Sequence, residues 1–93
     1  MNIIWDDDKN IKLKKERKIS FDEIALLILE QKYLEIVKHP KRPEQRIFIL
    51  PIKNYIHAVP FLIDTDNNII LKTAFPSRKF HKKYWLKNDE NKA

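Results

Sequence analysis

The stretch LKTAFPSRKFHKKYWLK, residues 71–87, contains the signals for a strand, a break and a helix in immediate succession. An apolar run stops at Pro76, Ser77 is a favourable helix N-cap, and a helical pattern follows. The stretch therefore predicts that the fold ends with a strand that leads directly into a C-terminal helix.

The same stretch carries a concentrated positive charge. It holds six Lys or Arg residues and no acid, whereas the whole chain has 19 basic and 13 acidic residues and a net charge of +6. The rest of the chain is balanced, so the excess charge is local, as a binding surface requires. Arg78 and Lys79 fall in the first helical turn, where the helix dipole disfavours cations by roughly 0.3–1 kcal/mol each. This placement indicates a bound anion, and phosphate is the commonest anion at a helix N-terminus.

The length of 93 residues predicts one domain, expected over residues 1–87, with a flexible polar tail at residues 88–93. Glycine is absent, which excludes the glycine-rich phosphate loops of most nucleotide-cofactor families. Cysteine is also absent, which excludes disulfides and thiolate metal sites. No apolar run approaches the ~18 residues of a membrane span, and the acidic N-terminus lacks a signal-peptide core. These features predict a cytoplasmic protein without membrane contact.

Short apolar runs and capping residues define the elements nearest the N-terminus. Residues 3–5 form a predicted strand, and one of the aspartates at residues 6–8 caps a helix that runs to about Lys18. The pattern of this helix is mostly charged, so we expect a surface helix anchored by Trp5 and Ile11. Lys18 stands where a glycine would be natural, because the turn after the helix needs left-handed backbone, at a cost of about 1 kcal/mol.

A second helix and four strands complete the predicted fold. Ser20 and Glu23 form a capping box for a helix over residues 21–31, which has an apolar stripe at helical spacing. Strand-like runs follow at residues 34–37, 46–50, 55–63 and 69–75. Lys53 and Asn54 form a predicted turn, and Pro60 marks a bulge or an unpaired position because it removes one ladder hydrogen bond. The sequence thus predicts an α+β fold with a short N-terminal strand, two helices, an antiparallel β-meander and a C-terminal helix.

The predicted C-terminal helix has two distinct sides. Arg78, His81, Lys82 and Trp85 share one side, and Phe80, Lys83, Tyr84 and Lys87 share the other. One interpretation is a solvated, lysine-rich helix whose Phe80 and Tyr84 pack on the sheet. The other is a nucleic-acid surface, because phosphate contacts combined with base stacking require basic residues interleaved with aromatic ones.

A second basic segment lies at residues 38–44, a loop stiffened by two prolines. It is either an ordinary exposed loop or the other wall of a groove that faces the final helix. The three histidines, His39, His57 and His81, lack metal-like spacing, so the sequence predicts no metal site. His57 is expected to face solvent. His81 is the strongest candidate for accepting a proton, because neighbouring cations disfavour its charged form.

With these residues in view, the chain resembles the BrnT-like toxins of bacterial type II toxin–antitoxin systems, which have a RelE-like fold. The resemblance covers most of residues 3–85. It is carried by Trp5-Asp6, Lys9-Asn10, the run KKERKISFDE at residues 14–23, residues 46–49, residues 59–61, residues 71–79 and Tyr84. The chain departs from the family pattern in two places. Lys18 replaces a glycine, and Lys82-Lys83 stand where an acidic residue often follows the arginine of the final helix.

The resemblance implies a metal-independent endoribonuclease that cleaves mRNA, inhibits translation, needs no cofactor and is neutralised by a small DNA-binding antitoxin. The resemblance leaves open whether the RNA is cleaved in solution or on the ribosome. Cleavage requires a base for the 2′-hydroxyl, an acid for the leaving 5′-oxygen and cations for the charge on phosphorus. The implied catalytic residues are Arg46, Arg78, His81 and Tyr84, with His81 or Tyr84 chosen for proton transfer on chemical grounds. The resemblance implies Lys15 and Lys79 as RNA-binding residues, and the two basic segments add Lys72, Lys82, Lys83, His39 and Arg42.

Two other functions stay open at this point. One is a non-catalytic RNA- or ribosome-binding module that uses the same groove, and the other is a degenerate homologue that only pairs with an antitoxin. Catalysis gains weight if the fold brings Glu44 or His39 within hydrogen-bond reach of His81 or Tyr84. Burial of the helix's His and Tyr side chains would favour the binding module instead.

Overall fold

The computed structural model describes residues 1–86, which form one six-stranded sheet with helices on both faces. In chain order the elements are β1 (Ile3–Ile4), α1 (Asp7–Arg17), α2 (Phe21–Leu29), β2 (Glu35–Lys38), β3 (Arg46–Ile52), β4 (Tyr55–Ile63), β5 (Ile69–Leu71), β6 (Phe75–Pro76), α3 (Arg78–His81) and a π-helical turn (Lys82–Leu86). The predicted α+β fold is therefore confirmed. The tail expected at residues 88–93 lies outside the described residues. Within residues 1–86, no helix has the length and apolar character needed to cross a bilayer.

The turn between α1 and α2 has the predicted geometry. Asp6 caps α1 by accepting a hydrogen bond from a first-turn amide at 3.1 Å, and Ser20 and Glu23 form the complete capping box of α2. Lys18 occupies left-handed backbone with a φ of 60°, which costs a residue with a Cβ roughly 1–2 kcal/mol. The Lys53 ammonium donates to the Lys18 carbonyl, so the end of α1 does not leave this acceptor unsatisfied.

A buried asparagine holds α1 against α2. The Asn10 side chain donates to Asp22 Oδ1 at 2.8 Å and accepts from the Phe21 backbone amide at 2.8 Å. Trp5 packs near Phe21, with ring centroids 6.0 Å apart, as predicted. The prediction that Ile11 anchors α1 was wrong, because this side chain is 63% exposed. Hydrophobic periodicity records only apolar positions, so it missed a polar anchor.

The strand order is β1-β5-β4-β3-β2, with β6 paired to β4 off this path. β1 runs parallel to β5, while the pairings among β2, β3, β4, β5 and β6 are antiparallel. The predicted meander is thus confirmed. The β3–β4 turn has positive φ at both Lys53 (48°) and Asn54 (69°), which is the geometry of a two-residue type I′ hairpin.

The predicted continuous strand at residues 69–75 was wrong, because it divides into β5 and β6. Leu71 pairs with Phe61, and Phe75 pairs with Ala58. Leu71 and Phe75 are four positions apart, whereas their partners in β4, Phe61 and Ala58, are only three positions apart. The extra residue is a β-bulge, which is one of the two alternatives predicted at Pro60.

Pro60 in β4 accounts for the position of this bulge. The Lys72 amide donates to the Pro60 carbonyl at 2.9 Å, but proline has no N–H to return the second bond of an ordinary pair. The Lys72 carbonyl accepts instead from the Lys9 ammonium at 3.4 Å. The chain leaves the ladder at this point, so Lys72 lies where α1 meets the sheet.

Different elements cover the two faces of the sheet. On the first face, α1 and α2 pack against alternate residues of β3 and β4 to form the larger core, which includes Phe21, Ile24, Phe48, Leu50 and Val59. On the second face, residues 78–86, here called the final helix, cover a smaller core of Ile47, Ile49, Ile56 and Ala58. Because successive residues of a strand point to opposite faces, β3 and β4 need apolar residues at consecutive positions.

Candidate functional site

The final helix presents aromatic rings to the sheet and cations to solvent. The Ser77 side chain caps it by accepting from the Phe80 amide at 3.4 Å, as predicted. Phe80 and Tyr84 pack against the second-face core and lie parallel, with ring centroids 6.3 Å apart. The Lys83 ammonium is 5.8 Å from the Phe80 ring centroid and 5.1 Å from that of Tyr84. The shared side predicted for these three residues is therefore present.

Tyr84 reaches a carboxylate that the sequence analysis did not include. Its hydroxyl donates a hydrogen bond to Glu35 Oε2, and the Lys83 ammonium is 3.4 Å from the same oxygen. Glu35 is the first residue of β2 and pairs with Ile49, which places its side chain on the second face beneath the final helix. The Glu35 side chain is 34% exposed, so this pair is accessible from solvent.

Glu35 was missed because it is 49 residues away from Tyr84 in a strand of only four residues. The available signal was the position of Glu35 in the strand, where this acid is followed by the apolar residues Ile36 and Val37. An acid at a second-face position, directly across from an apolar residue of β3, needs a polar partner from the covering helix.

His81 is held in a structural position at the end of the sheet. Its Nδ1 accepts a hydrogen bond from the Ile56 backbone amide at 3.2 Å, so the proton of the neutral ring is on Nε2. The ring lies parallel to Tyr55 at 3.8 Å and is 5.5 Å from the Trp85 ring. Neither Glu44 nor His39, the two partners considered for His81 and Tyr84, makes a hydrogen bond to either of them.

The half of the second face beyond the final helix is an open groove of about 540 Å³, here called the basic groove. Pro60, Leu62 and Phe75 supply apolar surface, and the charged side chains that line it are Lys9, Arg42, Lys72 and Glu44, together with His39. Three of the predicted RNA-binding residues, His39, Arg42 and Lys72, thus come together from segments far apart in the sequence. The loop at residues 38–44 lines this groove, but none of the described residues 78–86 does, so the predicted groove between the loop and the final helix is not the one observed.

Hydrogen bonds within this loop fix its shape. His39 Nδ1 accepts from the backbone amides of Lys41 and Arg42, both at 3.1 Å, and the Gln45 amide donates to the Arg42 carbonyl at 3.0 Å. The imidazole therefore uses one ring nitrogen to shape the loop. Arg42 is exposed and projects its charge from a fixed backbone.

The basic groove and the final helix are neighbours on the second face. His81 and Trp85 lie on the edge of the helix nearest Tyr55, at the start of β4. Lys79 and Lys83 flank Phe80 on another edge, at 5.5 and 5.8 Å from its ring centroid. The Lys83 ammonium lies at the start of β2, 3.4 Å from Glu35 Oε2, while Phe75, two residues before the Ser77 cap, lines the groove. Cations are therefore present both on the final helix and in the basic groove, and Phe75 lies between these two parts of the chain.

Two predicted site residues lie away from this surface. Arg46 opens β3 on the first face, where it lines an apolar groove beside the end of α2. Lys15 is exposed on α1, which packs on the same first face. Arg78 and Lys82 are exposed on the final helix, on the side away from the sheet. Arg78 and Tyr84 are thus on the same helix but on different sides of it, and Arg46 is on the opposite face of the sheet.

His57 and the aspartate turn have structural surroundings. The prediction that His57 faces solvent was wrong, because it is 7% exposed beneath α1 and α2. Burial lowers the pKa of His57, while the hydrogen bond from its Nδ1 to the Tyr55 carbonyl opposes that shift. Asp64 accepts from the amides of Asp66 and Asn68, both at 2.9 Å, and the Asn68 amide in particular lowers the pKa of Asp64. These hydrogen bonds form the turn between β4 and β5.

No family model and no curated protein matches the chain. A solved structure is similar, namely the ribonuclease toxin BrnT of Brucella abortus, determined at 1.1 Å resolution. The two share 18% identity and a TM-score of 0.63, over 83% of this chain and 96% of that chain. The chain therefore has a BrnT-like fold, which confirms the fold expected from the resemblance.

Proposed function

We propose that this chain is the toxin of a type II toxin–antitoxin system, an endoribonuclease that cleaves mRNA without a metal ion and so inhibits translation. The fold that it shares with a protein named as a ribonuclease toxin supports this proposal. The positive surface of the final helix and the basic groove supports an RNA substrate. The Tyr84–Glu35 hydrogen bond carries the proposal, because it joins a proton donor to a proton acceptor on that surface.

In the proposed reaction, the ribose 2′-oxygen forms a bond to phosphorus while the bond from phosphorus to the 5′-oxygen breaks. Glu35 accepts the proton of the 2′-hydroxyl, and Tyr84 gives its phenolic proton to the leaving 5′-oxygen. The hydrogen bond between the two side chains then returns the proton from the Glu35 carboxylic acid to the Tyr84 phenolate. The products are a 2′,3′-cyclic phosphate and a 5′-hydroxyl, and the enzyme is restored.

Lys83 is the cation nearest to the reacting groups. Its ammonium is 3.4 Å from Glu35 Oε2 and 5.1 Å from the Tyr84 ring centroid, so it stabilises negative charge on the phosphate and on the phenolate. Arg78, Lys79 and Lys82 contact neighbouring phosphates from the exposed side of the helix. The basic groove holds the continuing strand through Arg42 and Lys72, with Phe75 as an apolar surface for a base.

Within this proposal His81 positions the helix and does not transfer the proton. Its Nδ1 already accepts a hydrogen bond from the Ile56 amide, and its ring stacks on Tyr55 with Trp85 nearby. Arg46 and Lys15 have no role in cleavage, since they lie on or beside the first face. Glu35 takes the part that the sequence analysis considered for Glu44 or His39.

The proposal includes a cytoplasmic setting and a cognate antitoxin, a small DNA-binding protein that neutralises the chain.

Induced expression of the wild type, of Tyr84→Phe and of the control Tyr33→Phe tests the proposed ribonuclease activity, with growth and RNA integrity as readouts. Tyr33 packs on the first-face core, so its variant loses a phenol far from the proposed site. We expect RNA cleavage and growth arrest from the wild type and from Tyr33→Phe only.

Purified protein distinguishes the remaining alternatives. Cleavage of RNA in the presence of EDTA, with cyclic-phosphate ends, is the expected result. Normal growth and intact RNA with the wild type would reject the toxin. RNA binding without cleavage would favour the non-catalytic binding module, and equal cleavage by wild type and Tyr84→Phe would reject the Tyr84–Glu35 pair alone.

A further inference from the structure

The first face of the sheet contains an apolar groove of about 600 Å³ at the C-terminal end of α2. Several of its lining side chains are large, apolar and strongly exposed: Met1 is 82% exposed, Leu29 67%, Ile63 56% and Ile36 42%. Exposed apolar residues scattered singly are ordinary, but a contiguous group that lines one groove marks an interaction surface. This groove lies on the opposite face from Tyr84 and Glu35, so the proposed cleavage reaction does not use it.

Among the described residues that line the groove, Arg46 has the one charged side chain, and none is an acid. An occupant that covers Arg46 must supply a carboxylate, because a buried and unpaired guanidinium is strongly destabilising. A second copy of this chain, docked through the same groove, would bring a second Arg46 and no carboxylate. The sequence of residues 87–93 contains no large apolar side chain, so it does not match the apolar segment that this groove requires.

We infer that the apolar groove is the docking site for a different protein, through a segment with apolar side chains and one carboxylate that pairs with Arg46. The inference rests on the proposed function in one respect, which is that the partner is the antitoxin. The net charge of +6 also favours an acidic partner.

The edge strand β2 connects this groove to the proposed cleavage site. Ile36 lines the groove on the first face, while its neighbour Glu35 bonds to Tyr84 on the second face. Strand β2 is at the edge of the sheet, so a segment seated in the groove meets no further strand beyond it. A partner that continues around this edge reaches Glu35, which gives docking a direct route to inhibition.

Two exposed leucines of α2 provide a matched test. Leu29 lines the groove, whereas Leu26 is 58% exposed on the same helix and does not. The antitoxin is obtained as a gene from the source genome that restores growth to cells expressing the wild-type chain. We expect Leu29→Asp and Leu26→Asp both to arrest growth alone. Coexpression of the antitoxin should rescue Leu26→Asp but not Leu29→Asp.

Binding of the purified antitoxin supplies a second measurement. We expect Leu29→Asp and Arg46→Glu to weaken binding by tenfold or more, and Arg46→Lys and Leu26→Asp to change it less than threefold. Equal rescue and equal binding for the Leu29 and Leu26 variants would overturn the docking site and leave the ribonuclease proposal intact. Loss of toxicity in Leu29→Asp alone would also overturn it, because the groove would then serve cleavage. A harmless wild-type chain would reject the proposed function, and with it this partner.

Discussion

The Tyr84 hydroxyl of the final helix donates a hydrogen bond to the Glu35 carboxylate of the edge strand β2, 49 positions earlier in the sequence. This contact connects the last element of the described chain to the outermost strand on one side of the sheet. The phenol thereby has a fixed partner on a solvent-accessible surface, next to the Lys83 ammonium. A helix that served only to cover the sheet would have no need of this polar contact, because Phe80 already covers the same core.

Removal of either member of the pair should abolish most RNA cleavage. Tyr84→Phe removes the proton donor and Glu35→Gln removes the acceptor, so each should lower the single-turnover rate by about 100-fold or more. The double variant should be no slower than the worse single variant, because the two residues act as one unit. If the rate reductions of the two single variants multiplied in the double variant, the shared proton path would be contradicted.

Loss of the His81 side chain should affect stability more than chemistry. His81→Ala leaves the Ile56 amide without its acceptor, which costs about 1–3 kcal/mol, and it also removes the ring between Tyr55 and Trp85. Urea unfolding measures the loss. Under conditions that keep the variant folded, its cleavage rate should stay within a few-fold of wild type. A stable variant with a 100-fold lower rate would instead restore His81 as the proton donor.

The local signals of the sequence predicted most of the fold. Capping at Ser20 and Ser77, the Lys18 turn and the strand runs depend on neighbouring residues, so they are readable without knowledge of tertiary contacts. Pro60 likewise predicted a bulge or an unpaired position from backbone chemistry alone. The division of the last strand into β5 and β6 required the partner register, which no local pattern contains.

The candidate site was less predictable because it depends on strand pairing. Lys72, Arg42 and His39 were identifiable by charge, and the fold brings them into one groove. Glu35 and Arg46 were not assignable, because only the registers of β2 and β3 decide which face each side chain occupies. A one-residue shift in either strand would exchange their faces.

Charge removal in the basic groove should weaken RNA binding in a salt-dependent way. Arg42→Ala and Lys72→Ala each remove a cation from the groove, so each should reduce the slope of log K against log salt concentration by ~0.7. Titration of a non-cleavable single-stranded RNA at several salt concentrations measures this slope. Lys32→Ala, at an exposed position outside the groove, is the control. An unchanged slope for both groove variants would place the RNA elsewhere.

Stability should fall as the pH drops below 6.5, because of His57. Burial lowers the pKa of His57 below its ordinary value of 6.5, so the folded state keeps the ring neutral while the unfolded state takes up a proton. Stability is therefore fully present above pH 6.5 and declines from there until the pH passes the lowered pKa of the folded state. Urea unfolding between pH 7.5 and about 5 should show this slope in the wild type and a shallower one in His57→Gln. Equal slopes would contradict it, as would an NMR titration of the folded ring with a midpoint above 6.5.

Lys18 is the position where glycine should stabilise the fold. Its φ of 60° costs a lysine roughly 1–2 kcal/mol, while glycine avoids this cost and loses roughly 0.5–1 kcal/mol through its greater freedom in the unfolded chain. Lys18→Gly keeps the backbone carbonyl that accepts from Lys53, so a net gain of about 0.5–1 kcal/mol should raise Tm by several degrees. Lys12→Gly, within α1, should instead destabilise by about 1 kcal/mol. A lower Tm for Lys18→Gly would mean that the lysine side chain contributes more at this turn than its backbone costs.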